Sequence, residues 1–157
     1  MPDTPSPIAA ALSQISGVPV TAYDADGGID AARSAKVALR VAQAGIRNVI
    51  AAGNTGEFFS LSMEEVRRLH AAVIEAVGRE ALVTAAVGRS LVEAKALASS
   101  AALDGAGAVM VHWPADPFAG PAQKVDYFLR LADHAPVPVV AYLRSDEIGL
   151  PDLIRLA

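Results

Sequence analysis

The chain has 157 residues, 53% of them apolar and 19% charged, with a formal net charge of −4 and no cysteine. That is enough length for one compact domain with its own core, and the composition excludes a disordered chain. The acidic balance leaves no basic stripe to neutralise phosphates, so nucleic acid is not an expected partner, and disulfide and thiolate chemistry are excluded.

Residues 1–7 are Pro-rich and carry no basic cluster ahead of an apolar stretch, so no secretory leader is read there. No apolar run approaches the roughly 20 residues of a membrane span. No membrane partner and a cytoplasmic location are expected. Residues 1–17 read as a loose lead-in with a short helical turn. Residues 18–23 form the first β-like run, with Pro19 suited to a strand start, and 24–28 form a turn. Asp30 caps a helix that reaches about Ala44 and stops at Gly45. Residues 46–52 are the second strand.

The second helix carries the most signals. Ser62 and Glu65 have capping-box spacing, Leu61 and Val66 that of a hydrophobic staple, and Val66, Leu69, Val73 and Val77 trace one apolar stripe. Gly78 ends it. Residues 82–87 are the third strand, Ser90 and Glu93 a second capping box, and Leu97 and Ala101 the buried face of a helix closed by Gly105. Residues 108–112 are the fourth strand. Pro121 opens a fourth helix with Val125, Phe128 and Leu129 inward, 138–142 are the fifth strand, and Pro151 suits the start of a fifth helix.

Strand and helix therefore alternate at βαβ spacing, and the strands are near-continuous apolar runs, as in a parallel sheet covered on both faces. An open doubly wound sheet and part of a (β/α)8 barrel both fit. Either one gathers the carboxyl ends of its strands on one rim, where such folds place their chemistry. The polar residues there are Thr21 and Tyr23; Asn54, Thr55 and Glu57; Arg89 and Ser90; His112 and Trp113; Tyr142 and Arg144.

The loop 53–61 stands out among them. Gly53 and Gly56 bracket Asn54 and Thr55, a spacing that lets successive N–H groups form a concavity for a carboxylate, with the Thr55 hydroxyl beside it. The same spacing also fits a plain strand-to-helix turn. Tyr142 ends an apolar strand, and a Tyr–Thr pair can pass a proton when a reacting group lies between them. Ser90 reads first as a helix cap, Trp113 as packing, and Glu57 as a partner for loop N–H groups. His70, His112 and His134 are scattered without carboxylates at ligand spacing, so no metal is expected. No Gly-x-Ser-x-Gly elbow, Gly-x-Gly-x-x-Gly turn or P-loop is present.

Gly53-Asn54-Thr55-Gly56-Glu57 resembles the Gly-Thr-Thr-Gly-Glu signature of the dihydrodipicolinate synthase and N-acetylneuraminate lyase family, class I aldolase-type barrel enzymes. The resemblance runs from about Val18 to Ala157 and takes in Thr21, the helix start at 62–65 and the strand 138–142. It implies that residues 18–157 are about the first five units of an eight-unit (β/α)8 barrel, truncated. It further implies a lyase acting on a 2-keto acid, pyruvate or a keto-deoxy sugar acid, through a Schiff base and without a cofactor. Tyr142 would donate and accept the proton, and Thr55 would hold the substrate carboxylate and link to Tyr142. Gly53, Asn54, Gly56 and Arg144 would complete the substrate site. A homo-oligomer is expected of the full-length form.

Several positions depart from the family pattern. Asn54 replaces the first threonine of the signature, and Ala22-Tyr23 replaces a Pro-hydrophobic pair. His112-Trp113-Pro114 replaces a tyrosine-containing segment. Residues 58–61 and the Tyr142-x-Arg144 spacing look more like the keto-deoxy-glucarate dehydratase branch. The resemblance puts the Schiff-base lysine on a sixth strand, which would fall beyond Ala157; Lys36, Lys95 and Lys124 lie on predicted helices and none of them suits that role. A non-catalytic keto-acid or sugar-acid binding chain, or a degenerate fragment, is the alternative. Five units of a barrel also leave the first and fifth strands unpaired on one side and the inner apolar face open, so self-association is expected.

Overall fold

The computed structural model describes residues 6–143 and 148–156. Its elements are α1 (Pro7–Leu12), β1 (Ser16–Gly17), α2 (Ala31–Gln43), β2 (Asn48–Ala51), α3 (Met63–Val77), β3 (Leu82–Arg89), α4 (Leu91–Asp104), β4 (Ala108–Pro114), α5 (Pro121–Ala132), β5 (Val139–Ala141) and α6 (Leu150–Leu156). The strands form one parallel sheet in the order β1-β2-β3-β4-β5. Every crossover thus advances one strand in the same direction. A doubly wound sheet would reverse its order at a switch point, so the architecture is an arc of a β/α barrel.

The helix starts follow the local chemistry. The Asp30 carboxylate accepts from the Arg33 N–H at 2.8 Å. Both capping boxes form, with the Ser62 N–H donating to Glu65 at 2.8 Å and the Ser90 N–H to Glu93 at 3.0 Å. Leu61 and Val66 are buried, as are Val66, Leu69, Val73 and Val77 along α3. On α5, Val125, Tyr127, Phe128 and Leu131 are buried, while Leu129 is only half-buried.

The first strand differs from the sequence reading. The ladder pairs Ser16 with Asn48 and Gly17 with Val49, and residues 18–22 leave it. Pro19 has no N–H to give a ladder. Tyr23 instead bridges antiparallel to Ile29 across a turn in which Asp24 accepts from the N–H groups of Asp26 and Gly28. A buried polar chain reinforces this short ladder. Thr84 Oγ1 donates to Asn48 Oδ1 at 2.7 Å, and Asn48 Nδ2 donates to Ser16 Oγ at 2.8 Å.

Among the described residues, β1 pairs only with β2 and β5 only with β4, so both sheet edges are open as expected. The residues of the central strands are shielded, while Val140 beside Met110 is half-buried. Ile50, Thr84 and Ala108 lie in one register row, Ala86 and Met110 in the next, and all five are at most 9% exposed. The large apolar side chains that do face solvent include Val20 and Phe59 in rim loops and Leu150 and Ile154 on α6.

His70 is fully buried on α3. Burial pushes its imidazole down from 6.5 to about 4, and the backbone at Ala86 and Ala51 counteracts this only in part. Neither ring nitrogen reaches a partner in hydrogen-bond geometry. Between pH 6.5 and about 4 the unfolded chain binds a proton that the folded chain does not, so stability falls on acidification through that window. The full shift is worth about 3 kcal/mol. Urea melts from pH 7 downward should show this loss, and His70→Leu should flatten the profile between pH 6.5 and 4.5, above the range where the capping carboxylates of Glu65 and Glu93 titrate.

Candidate active site

Loop 53–61 leaves β2 through a short 310 turn, Asn54–Gly56. The residues that take left-handed backbone here are Ala52 (φ 55°) and Glu57 (φ 62°), not the glycines. Gly53 has an ordinary φ of −67°. Its missing side chain serves close approach, because a Cβ there would lie 2.6 Å from Val18 Cγ1. At the start of the turn the N–H groups of Asn54 and Thr55 have no intrahelical acceptor, and Gly53 supplies no side-chain cap. Both residues are exposed.

Neighbouring strands hold the loop from two sides. The buried Thr21 hydroxyl donates to the Gly56 carbonyl at 2.7 Å. The Tyr23 hydroxyl donates to Glu57 Oε2 at 2.9 Å, and desolvation followed by that carboxylate raises the phenol above its usual range. From β3, Arg89 Nη2 donates to the carbonyls of Phe58 (3.0 Å) and Leu61, and its guanidinium lies 5.4 Å from the centre of the Phe58 ring.

An aromatic cluster carries the contact across to β5. Phe58 is buried 4.7 Å from the His112 ring, Phe59 lies 5.3 Å from His112, and His112 meets Tyr142 edge-on at 5.7 Å. Gly88 makes room for it, since a Cβ there would stand 3.1 Å from both His112 Cβ and Phe58 Cε1. The Tyr142 N–H donates to the Val111 carbonyl at 3.0 Å, which extends the β4–β5 ladder to the rim, and the side chain is 36% exposed.

The rim thus brings loop 53–61 and Tyr142 together through Phe58, Phe59 and His112. Among the described residues no hydrogen bond joins Thr55 to Tyr142. Arg144 lies outside the described residues. Trp113 packs against Phe128 and Lys124 on α5. Ser90 caps α4. Among the described residues, no group of three His, Asp or Glu side chains could hold a metal ion, and no helix is long and apolar enough to cross a membrane. The sequence reading missed the clamp made by Arg89. A charged residue closing an apolar strand directly after a glycine was the available signal.

A parallel, singly wound β/α arc with a polar loop and a tyrosine on its carboxyl rim is the framework of the (β/α)8-barrel enzymes. Residues 11–150 match the Dihydrodipicolinate synthetase family, and the chain belongs to that family. It is 35% identical over 157 aligned residues to the Streptomyces coelicolor protein named "Probable 5-dehydro-4-deoxyglucarate dehydratase 1", covering 96% of this chain and 49% of that one. The crystal structure of dihydrodipicolinate synthase from Bacillus clausii superposes with a TM-score of 0.89 at 33% identity, covering 95% of this chain and 51% of that one. YagE, an E. coli K12 prophage protein of the family solved in complex with pyruvate, superposes with a TM-score of 0.77 at 27% identity, covering 85% and 45%. The chain spans about half the length of the curated relatives it matches.

Thr21 is the buried anchor of the loop. Thr21→Val keeps its shape and leaves the Gly56 carbonyl without its donor. It should cost about 1–3 kcal/mol, the usual penalty for an orphaned buried group. The check is a fall in urea midpoint with an unchanged m-value.

Proposed function

We propose that this chain supplies the carboxylate-binding loop and the acid–base tyrosine of a class I aldolase-type lyase that acts on a 2-keto acid. The observation that carries the reading is the meeting of loop 53–61 and Tyr142 on one rim through the His112 contact. The N–H groups of Asn54 and Thr55 and the Thr55 hydroxyl would receive the substrate carboxylate, with Gly53 and Gly56 shaping the turn and Arg144 completing the site. Tyr142 would carry the proton. A substrate seated between Thr55 and Tyr142 would bridge the two hydroxyls, which do not touch directly.

The reacting amine would come from a lysine on the strand that follows β5 in a complete barrel. Its condensation with the 2-keto group releases water and leaves an iminium. In aldol cleavage the iminium accepts the electron pair of the carbon–carbon bond that breaks beside it; in dehydration it accepts the pair of a carbon–hydrogen bond on the adjacent carbon, whose proton goes to a base, and the enamine so formed expels the hydroxyl one carbon further on, protonated, as water. Pyruvate is the ligand of YagE, and 5-dehydro-4-deoxyglucarate is in the name of the Streptomyces relative, so these two 2-keto acids are the first substrates to try. An oligomer of the longer polypeptide belongs to the same reading.

One observation favours a second reading. Lys36, Lys95 and Lys124 lie on α2, α4 and α5, not on strands. A chain acting alone would then bind a keto acid without turnover.

Borohydride reduction with pyruvate, applied to a longer polypeptide that carries this chain and the following strands, should yield a covalent adduct. Absence of an adduct with either substrate would overturn the Schiff-base step, and saturable binding without an adduct would establish the second reading. In the same polypeptide, Thr55→Val and Tyr142→Phe should each lower turnover by roughly 10²–10⁴, the worth of a positioned acid–base group. A change within a few-fold would remove Thr55 from the proton path.

A further inference from the structure

Arg89 closes β3 at φ 72°, directly after a register shift between Val87 and Arg89. A residue with a Cβ adopts this left-handed backbone only at a cost, and it persists where surrounding contacts over-determine it. Those contacts lie in one place. Nη2 donates to the carbonyls of Phe58 and Leu61, which flank Phe59 and Ser60, and the guanidinium lies over the Phe58 ring. Phe58 is the residue that meets His112, and His112 meets Tyr142.

We propose that Arg89 is the positioning residue of the rim: its clamp on Phe58 and Leu61 holds loop 53–61 in the shape that receives the carboxylate of a 2-keto acid. The ligand half of this statement rests on the function proposed above; the clamp half does not. A guanidinium suits the task because it is planar, can stack on a ring and donates in fixed directions, whereas the ammonium of a lysine is a single mobile charge. The distorted end of β3 turns Arg89 onto the loop after β2, so the backbone cost and the side-chain contacts belong to one device. Glycine at position 89 would accept the same backbone freely and lose the clamp together with the charge that faces Glu93, and Arg89→Lys keeps that charge, so the two substitutions together isolate the clamp.

Arg89→Gly and Arg89→Lys should be compared with the wild type, each in the longer polypeptide that carries this chain and the following strands, by amide hydrogen exchange and by pyruvate titration followed by NMR. The N–H groups of Glu57, Phe58 and Ser60 are hydrogen-bonded within the loop and serve as reporters, and Val109, bonded to Pro138, reports on the sheet. Both variants should exchange the three loop amides about tenfold faster or more, with Val109 unchanged, because loss of a local clamp opens only the unit it holds. Guanidinium chloride at low concentration should slow them again in Arg89→Gly, and sodium chloride at equal concentration should not. Loop amides that exchange as in wild type, or acceleration spread equally over Val109, would overturn the clamp. Pyruvate affinity should fall in both variants and recover with guanidinium in Arg89→Gly. Wild-type affinity in Arg89→Lys would overturn positioning in favour of a simple charge contact with the ligand. Faster loop exchange in the variants, with no pyruvate bound by the wild-type longer polypeptide or by either variant of it, would keep the clamp and reject the function.

Discussion

A loop that leaves a parallel sheet takes its carbonyl groups with it, and each one buried must find a donor elsewhere. The loop after β2 solves this by borrowing from both neighbours. The Gly56 carbonyl takes the Thr21 hydroxyl from the segment after β1, and the Phe58 and Leu61 carbonyls take the Arg89 guanidinium from β3. Asn54 and Thr55 are exposed at the start of this turn, and the carbonyls that follow them are tied down. The strand order matters for the same reason. With β2 between β1 and β3, both donors stand within reach, and an order that separated these strands would leave the loop unsupported.

Much of the fold was legible because its signals are local. Ser62 with Glu65, Ser90 with Glu93 and Asp30 each announce a helix start, and each forms the predicted bond. Apolar runs announced the strands, and equal spacing announced parallel units. Strand limits were less legible, since a strand ends where its partner ends. Residues 18–22 have strand composition, yet the ladder beside them stops at Gly17. The choice between an open sheet and a barrel arc is likewise a matter of strand order, which periodicity does not encode.

The candidate site divides the same way. Glycine spacing pointed to loop 53–61, but not to what the glycines do. Gly53 and Gly88 admit Val18 and the Phe58–His112 pair to close contact, and left-handed backbone falls to Ala52, Glu57 and Arg89. His112 read as a departure from a tyrosine pattern. In the structure it is nearly inaccessible and stands between Phe58 and Tyr142, a position that no spacing along the chain reveals.

The hydrogen-bonded run from Ser16 through Asn48 to Thr84 has a consequence for how the first strand finds its place. Two paired residues carry almost no alternation of apolar and polar faces, so β1 alone would sit as well one step up or down the edge of β2. A side-chain amide reads position differently from a greasy surface. It meets a hydroxyl at bonding distance in one alignment and strands a buried polar group in the others. Asn48 therefore works as a locating peg, and the edge strand is seated by a single polar match where its own length could not seat it.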